Sequence, residues 1–111
     1  MNSEQFTRSL TGDAPPAALS APLAALWWDA KGDWAKAHAQ VDELETRDAM
    51  AVHAYLHRKE GAASNADYWY KRSTTGHRRP SLEAEYSALL AALLRAGCAT
   101  PTQLRLDAQM G

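Results

Sequence analysis

Two histidines lie four residues apart in the stretch 49–72, which reads AMAVHAYLHRKEGAASNADYWYKR. On a helix, this spacing places His53 and His57 on one face, one turn apart. Imidazole nitrogens bind zinc and similar transition metals rather than calcium. The pair therefore predicts a metal site, provided that a third ligand lies nearby.

A third histidine follows from the expected chain reversal near residue 47. If the helices before and after this point form a hairpin, His38 lies level with His57, and the same counting at the next bend places Tyr70 level with His53. Tetrahedral coordination would then bring the ring nitrogens to within about 3–4 Å of one another. The alternative is that these histidines are interior packing groups, paired with Tyr70 or with backbone carbonyls.

A cluster of basic side chains precedes the last clear helix. It comprises Arg72, His77, Arg78 and Arg79, and Ser81 follows as the residue that caps the helix. Guanidinium groups and a helix N-terminus both favour anions, so the segment predicts a phosphate or carboxylate site. The alternative is an ordinary solvated loop.

Signals for covalent catalysis are missing from the sequence. Cys98 is the only cysteine, so neither an intrachain disulfide nor a cysteine-based metal site can form. The chain has no phosphate-binding glycine loop, no GxSxG and no HExxH. No residue is assigned a catalytic role, no cofactor other than a zinc-like metal is expected, and an enzyme is not predicted.

The composition predicts an all-α fold. Alanine, which has the highest helix propensity, accounts for 23 of 111 residues, against six glycines and five prolines. Capping residues, glycines and prolines divide the chain into segments of helical character. The predicted helices cover about 21–31, 34–46, 49–60, 64–73 and 82–96.

The domain organisation follows from these elements. Residues 1–20 are expected to be a partly ordered N-terminal arm, 21–97 a single helical domain, and 98–111 a tail with one short helix. The helix from residue 82 carries an amphipathic stripe, which suits it to cover the apolar surface of other helices. The stripe consists of Leu82, Tyr86, Leu89, Leu90, Leu93 and Leu94.

An internal repeat relates the two central bends. The phrase GDWAKA from Gly32 stands 29 residues before GAASNA from Gly61, and in each a glycine ends a helix and an alanine follows five residues later. GDWAKA and NADYWYKRS resemble segments of tetratricopeptide repeats and their Sel1-like relatives, and HAYLHR with YWY is similar to a group of small uncharacterised bacterial proteins. The repeat length of 29, rather than about 34, departs from the tetratricopeptide pattern.

The resemblance covers about half the chain and implies two stacked antiparallel hairpins with the last helix as a cap. It also implies that the positions of His53 and His57, which match Ala24 and Trp28 of the first unit, point inward. The implied function is a protein-interaction module that binds a peptide or protein in a concave groove. The groove residues would be Val52, Tyr55, Lys59 and Trp27, and Trp69 offers an aromatic surface beside them.

The net charge of −1 gives no general attraction for nucleic acid, and no window of about 18 apolar residues suggests a membrane partner. Because MNSEQFTRSL also lacks the apolar core of a signal peptide, a soluble cytoplasmic protein of bacterial style is expected. The interaction module predicts either an exposed apolar patch or a homodimer that covers it. A metal-binding protein and an anion-binding protein are the alternatives.

Overall fold

The structure is a computed structural model that describes residues 1–74 and 80–98 of the chain. Over these residues it is all-helical, as the composition predicts, with six helices and no strand. They are α1 (Ser3–Ser9), α2 (Ala21–Ala30), α3 (Trp34–Val41), α4 (Arg47–Lys59), α5 (Ala63–Ser73) and α6 (Leu82–Cys98).

Local sequence signals account for most helix starts. Asn2 and Gln5 form a reciprocal capping box at α1. The Asp33 side chain caps α3, and the Thr46 side chain accepts a hydrogen bond from Ala49 N at the start of α4. Helix α3 ends at Val41 rather than near residue 46, because acidic residues crowd its C-terminal end, where the helix dipole disfavours negative charge.

The two central bends have the same backbone geometry. Gly32 and Gly61 have φ values of +84° and +93°, the left-handed conformation that glycine adopts without steric cost. In each bend the N–H of the residue after the glycine donates to a carbonyl five residues back, at Trp28 and at His57, over 2.9 Å. These are two equivalent Schellman turns, and they place His57 in the structural position of Trp28.

Helix α4 is the centre of the core. It contacts α2, α3, α5 and α6, and its residues from Ala49 to His57 are all buried. Helix α2 pairs with α3, and α6 lies against α1, α2 and α4. Trp27 of α2 is fully buried. A helix with apolar residues nearly all round its surface, such as α2, requires neighbours on several sides, and this arrangement supplies them.

The N-terminal segment is attached to the same core. Phe6 of α1 is only 1% exposed, and the indole Nε1 of Trp27 donates to Ser9 Oγ over 3.1 Å. The Lys31 ammonium donates to the carbonyls of Leu10 and Gly12 over 2.7 and 3.0 Å. These contacts fix the end of α2, which carries the acidic side chain Asp29 discussed below.

Candidate metal centre

Three imidazoles meet between α3 and α4. The Nε2 atoms of His38 and His53 lie 3.0 Å apart, and one ring nitrogen from each of His38, His53 and His57 lies within 4.8 Å of the others. His53 is 3% exposed and His57 8%, while the side chain of His38 is 25% exposed. The three histidines that the sequence selected for a metal site are therefore neighbours, and solvent reaches them mainly at His38.

Helix geometry and one tryptophan fix these rings. His53 and His57 stack one above the other on α4 with centroids 4.8 Å apart, as their spacing requires. On α3, Trp34 stacks on His38 with centroids 4.8 Å apart and planes 11° from parallel. The Trp34 indole donates to the carbonyl of Leu56 over 2.8 Å, which holds α3 against α4 at the level of the cluster.

Two carboxylates lie behind the imidazoles. Glu60 Oε2 is 2.7 Å from Nδ1 of His57. Since a carboxylate can only accept, Nδ1 of His57 is the donor, which leaves Nε2 as the ring atom that faces a metal. Asp42 Oδ2 lies 3.9 Å from Nδ1 of His38, a distance that suits charge attraction rather than a direct hydrogen bond. Such carboxylates commonly orient histidines that bind metals and raise their basicity.

The cluster disfavours positive charge on its rings. Burial and the neighbouring imidazoles His38 and His57 lower the pKa of His53 to about 4. Burial, followed by repulsion from His57, also lowers the pKa of His38. At neutral pH His38 and His53 are therefore neutral and keep their lone pairs, which is the form that binds metal. Nδ1 of His53 is buried and has no hydrogen-bond partner among the described residues.

On α5, Trp69 stacks on His53, with centroids 4.1 Å apart and planes 20° from parallel. Tyr70, which the sequence predicts to lie level with His53, donates its hydroxyl to Glu85 of α6. The two residues are adjacent in α5 and differ in direction by about 100° around the helix, so they reach different neighbours.

The donor set fits a tetrahedral transition-metal ion. Bonds of 2.0–2.1 Å at tetrahedral angles require ligand nitrogens about 3.3 Å apart. The observed separations, 3.0 Å for one pair and at most 4.8 Å for any pair, lie on either side of this value. Three imidazoles with carboxylates behind two of them favour zinc and similar ions over calcium or magnesium.

The residues expected to line a peptide groove are mostly interior. Trp27 and Val52 are fully buried and Tyr55 is 2% exposed, so they offer no surface to a peptide. All three belong to the hydrophobic core, in which α6 packs against both α2 and α4. Lys59 is partly exposed and pairs with Asp29, and Trp69 is half-buried against the histidine cluster.

The predicted anion site is described only at its ends. Arg72 lies 3.6 Å from Glu45 and over the rings of Tyr68 and Trp69. Ser81 caps α6 by accepting from Ala84 N over 3.1 Å. The other members, His77, Arg78 and Arg79, lie outside the described residues, as does the predicted short helix of the tail.

Sequence analysis did not identify the groups that support the cluster. Asp42 stands four residues after His38, and Glu60 three after His57, so helical spacing alone could have indicated both. Trp34 likewise precedes His38 by four residues. The missed signal is thus a repeated local pattern, in which His38 and His57 are each followed about one helical turn later by an acidic residue.

Within residues 1–74 and 80–98, no helix combines the length and the apolar character needed to cross a bilayer. Comparison of the chain with protein-family models, with curated proteins and with solved structures finds no match.

Proposed function

We propose that this protein binds a transition-metal ion of the zinc type through His38, His53 and His57. The observation that carries the proposal is the convergence of three imidazoles whose ring nitrogens lie within 4.8 Å of one another. Ordinary packing histidines need one acceptor each, whereas here imidazoles face imidazoles. Imidazoles that face one another supply few complementary partners, whereas a bound cation would accept a lone pair from each of the three rings.

The proposed site draws its ligands from two helices, so a bound metal ion would link them. His38 belongs to α3, whereas His53 and His57 belong to α4. A shared ion would hold the two helices together and would stabilise the folded chain by mass action. Three protein ligands leave a fourth position, which water or a small ligand occupies in zinc sites of this type.

The direct test is a metal titration of the full chain. Protein purified without chelator is analysed for its metal content, and demetallated protein is then titrated with Zn²⁺ by calorimetry. We expect one zinc per chain, no response to Ca²⁺ or Mg²⁺, and a tetrahedral absorption spectrum with Co²⁺. Absence of a saturable one-to-one isotherm with Zn²⁺ would remove the proposal.

Histidine variants separate this site from adventitious binding. His53→Ala should weaken zinc binding at least about 100-fold, since it removes one of three ligands. His77→Ala is the matched histidine control, because His77 is the one histidine in the sequence that is not among the three proposed ligands. Equal losses in both variants would indicate nonspecific histidine binding and would contradict the assignment.

We further propose that α2–α5 form two stacked hairpins of the tetratricopeptide type with α6 across their open end. The pairing of α2 with α3 and of α4 with α5, together with the equivalent turns at Gly32 and Gly61, supports this arrangement. Peptide binding and anion binding stay predictions. The burial of Val52, Tyr55 and Trp27 removes the groove on which the first of them relied.

A further inference from the structure

A second polar site lies on the face of α4 that points away from the histidines. Residues 55 and 59 are each two positions beyond His53 and His57, which turns them about 200° around the helix. They open into a cleft of about 570 Å³ between the ends of α2 and α4 and the start of α6. That volume is within the range of small-molecule sites, roughly 300–1,000 Å³.

A buried carboxylate forms the polar wall of this cleft. The side chain of Asp29 is only 4% exposed. Its Oδ2 accepts a hydrogen bond of 2.9 Å from the Tyr55 hydroxyl, and its Oδ1 accepts one of 2.8 Å from the Lys59 ammonium. The Lys59 side chain is 41% exposed and belongs to the last turn of α4. A primary ammonium therefore already reaches Asp29 from the solvent side.

The charge around the cleft favours a cation. Its lining contains two carboxylates, Asp29 and Glu83, against the single ammonium of Lys59. Asp29 and Lys59 also lie in the last turns of α2 and α4, where the helix carbonyls carry partial negative charge. The N-terminus of α6 would attract an anion, but Glu83 occupies its first turn.

The remaining walls are apolar and held in place. Tyr55 and Tyr86 lie with ring centroids 6.1 Å apart, and Leu82 lines the cleft beside them. The Tyr86 hydroxyl donates to the carbonyl of Leu26 over 3.1 Å, so its ring is fixed. Burial raises the pKa of Tyr86 to about 12 and that of Tyr55 further, so both phenols stay neutral. Neutral aromatic rings attract organic cations.

We propose that this cleft binds a small protonated primary amine with an apolar body. The ammonium of the ligand takes the place of Lys59 at Asp29 Oδ1, and its body lies against the half-buried side chains of Tyr86 and Leu82. Lys59 acts as a tethered occupant that keeps the buried carboxylate paired until a ligand displaces it. Because the ligand must compete with this side chain, its binding is weaker than the carboxylate alone would give.

Three probes with one ring test the charge requirement: benzylammonium, benzoate and benzyl alcohol. Each is titrated into the full chain, stripped of metal, and followed by calorimetry and by the ring resonances of Tyr55 and Tyr86. We expect saturable binding of benzylammonium, at least about tenfold tighter than that of the alcohol, because a charged hydrogen bond is added. Saturable binding of benzoate, equal binding of the alcohol, or no saturation by benzylammonium would each overturn the proposal.

Variants test the displacement of the lysine. Lys59→Met should tighten benzylammonium binding roughly fivefold, as expected for the loss of a partly exposed competing ion pair. Lys71→Met, an exposed site on α5, makes the same change in total charge and should leave the affinity unchanged. Asp29→Asn should abolish binding. An unchanged affinity in Lys59→Met, or retained binding in Asp29→Asn, would contradict the arrangement.

Glu83→Gln covers the case in which Lys59→Met or Asp29→Asn does not fold. Glu83 is exposed at the rim, so its substitution leaves the packing intact, and loss of its charge should weaken benzylammonium roughly twofold to threefold. Tighter or unchanged binding would count against an amine ligand. Since the titrations use metal-free protein, their outcome does not depend on the zinc proposal.

Discussion

Helix α4 carries two pairs of polar residues on nearly opposite faces, and the pairs meet different partners. His53 and His57 both face the imidazole of His38, so groups of the same chemical type meet there. Tyr55 and Lys59 face the carboxylate of Asp29, which accepts from both. One face therefore has lone pairs in excess, whereas the other matches donors to acceptors.

This difference predicts how tightly each face binds a ligand. A cation at the histidine face gains bonds to ring nitrogens at the cost of the one hydrogen bond that His38 and His53 share, which is a contact between neutral groups. An amine at the Asp29 face must displace Lys59 first. The comparison thus predicts tight binding at the first face and weak, exchangeable binding at the second.

Acid should destabilise the metal-free protein through the histidine face. The pKa of His53 is about 4 in the folded chain and 6.5 in the unfolded chain, so between these values only the unfolded state gains the proton. Stability is complete above pH 6.5 and falls by up to about 3 kcal/mol by pH 4. His38 acts in the same direction, while Asp42 and Glu60 oppose it.

Urea unfolding across this range measures the effect. His53→Gln should flatten the profile between pH 6.5 and 4, because the titrating ring is gone. An equally steep profile in this variant would mean that the acid sensitivity originates elsewhere.

Removal of the acceptor should be the most damaging single change at the other face. Asp29→Ala leaves the buried hydroxyl of Tyr55 without its acceptor, while Lys59 can turn to solvent, so the free energy of unfolding should drop by about 2 kcal/mol. Asp13→Ala, at an exposed position, should change it by less than about 0.5 kcal/mol. Thermal unfolding measures both, and equal effects would show that the Asp29 contacts contribute nothing to stability.

The carboxylate behind the cluster should tune metal affinity more than stability. Glu60→Gln keeps the shape but removes the charge that orients His57, so zinc should bind about tenfold more weakly. Glu43→Gln makes the same change at an exposed site between α3 and α4 and should leave zinc affinity unaltered. Identical zinc-binding isotherms for the two variants would contradict the orienting role of Glu60.

Loss of one hydroxyl should give the smallest of these effects. Tyr55→Phe removes the hydrogen bond to Asp29 Oδ2 but keeps the ring and the Lys59 contact, so about 1 kcal/mol of stability should be lost. Tyr68→Phe, on a side chain that is 55% exposed, should be neutral. A neutral Tyr55→Phe would mean that Lys59 alone satisfies the carboxylate.

Local patterns predicted the histidine face, and long-range packing determined the other. The spacing of His53 and His57 and the hairpin that brings His38 to them span no more than 20 residues, so helical periodicity and one bend suffice. The contact of Tyr55 with Asp29 spans 26 residues and that of Tyr86 with Leu26 spans 60. The first pair depends on how α2 packs against α4 and the second on where α6 lies, and periodicity specifies neither.

The same limit explains the groove prediction. Tyr55 has the residue type of a binding surface, and only the positions of its neighbours decide whether it is buried. The glycine turns were predictable, in contrast, because their conformation is encoded within six residues. The stacking of Trp69 on His53 lies between these cases, since the glycine turn brings α5 back to α4 but the rotation of α5 decides which side chain meets His53.

The two indoles that stack on the cluster give the protein an internal optical reporter. Trp34 from α3 and Trp69 from α5 each lie face to face with a different imidazole, within 4.8 and 4.1 Å. The fluorescence of an indole responds to a charge at this range. Trp27 should respond less, because it lies on α2 and its indole bonds to Ser9 rather than stacking on the cluster. Binding of an ion between α3 and α4 should therefore change the fluorescence of both Trp34 and Trp69.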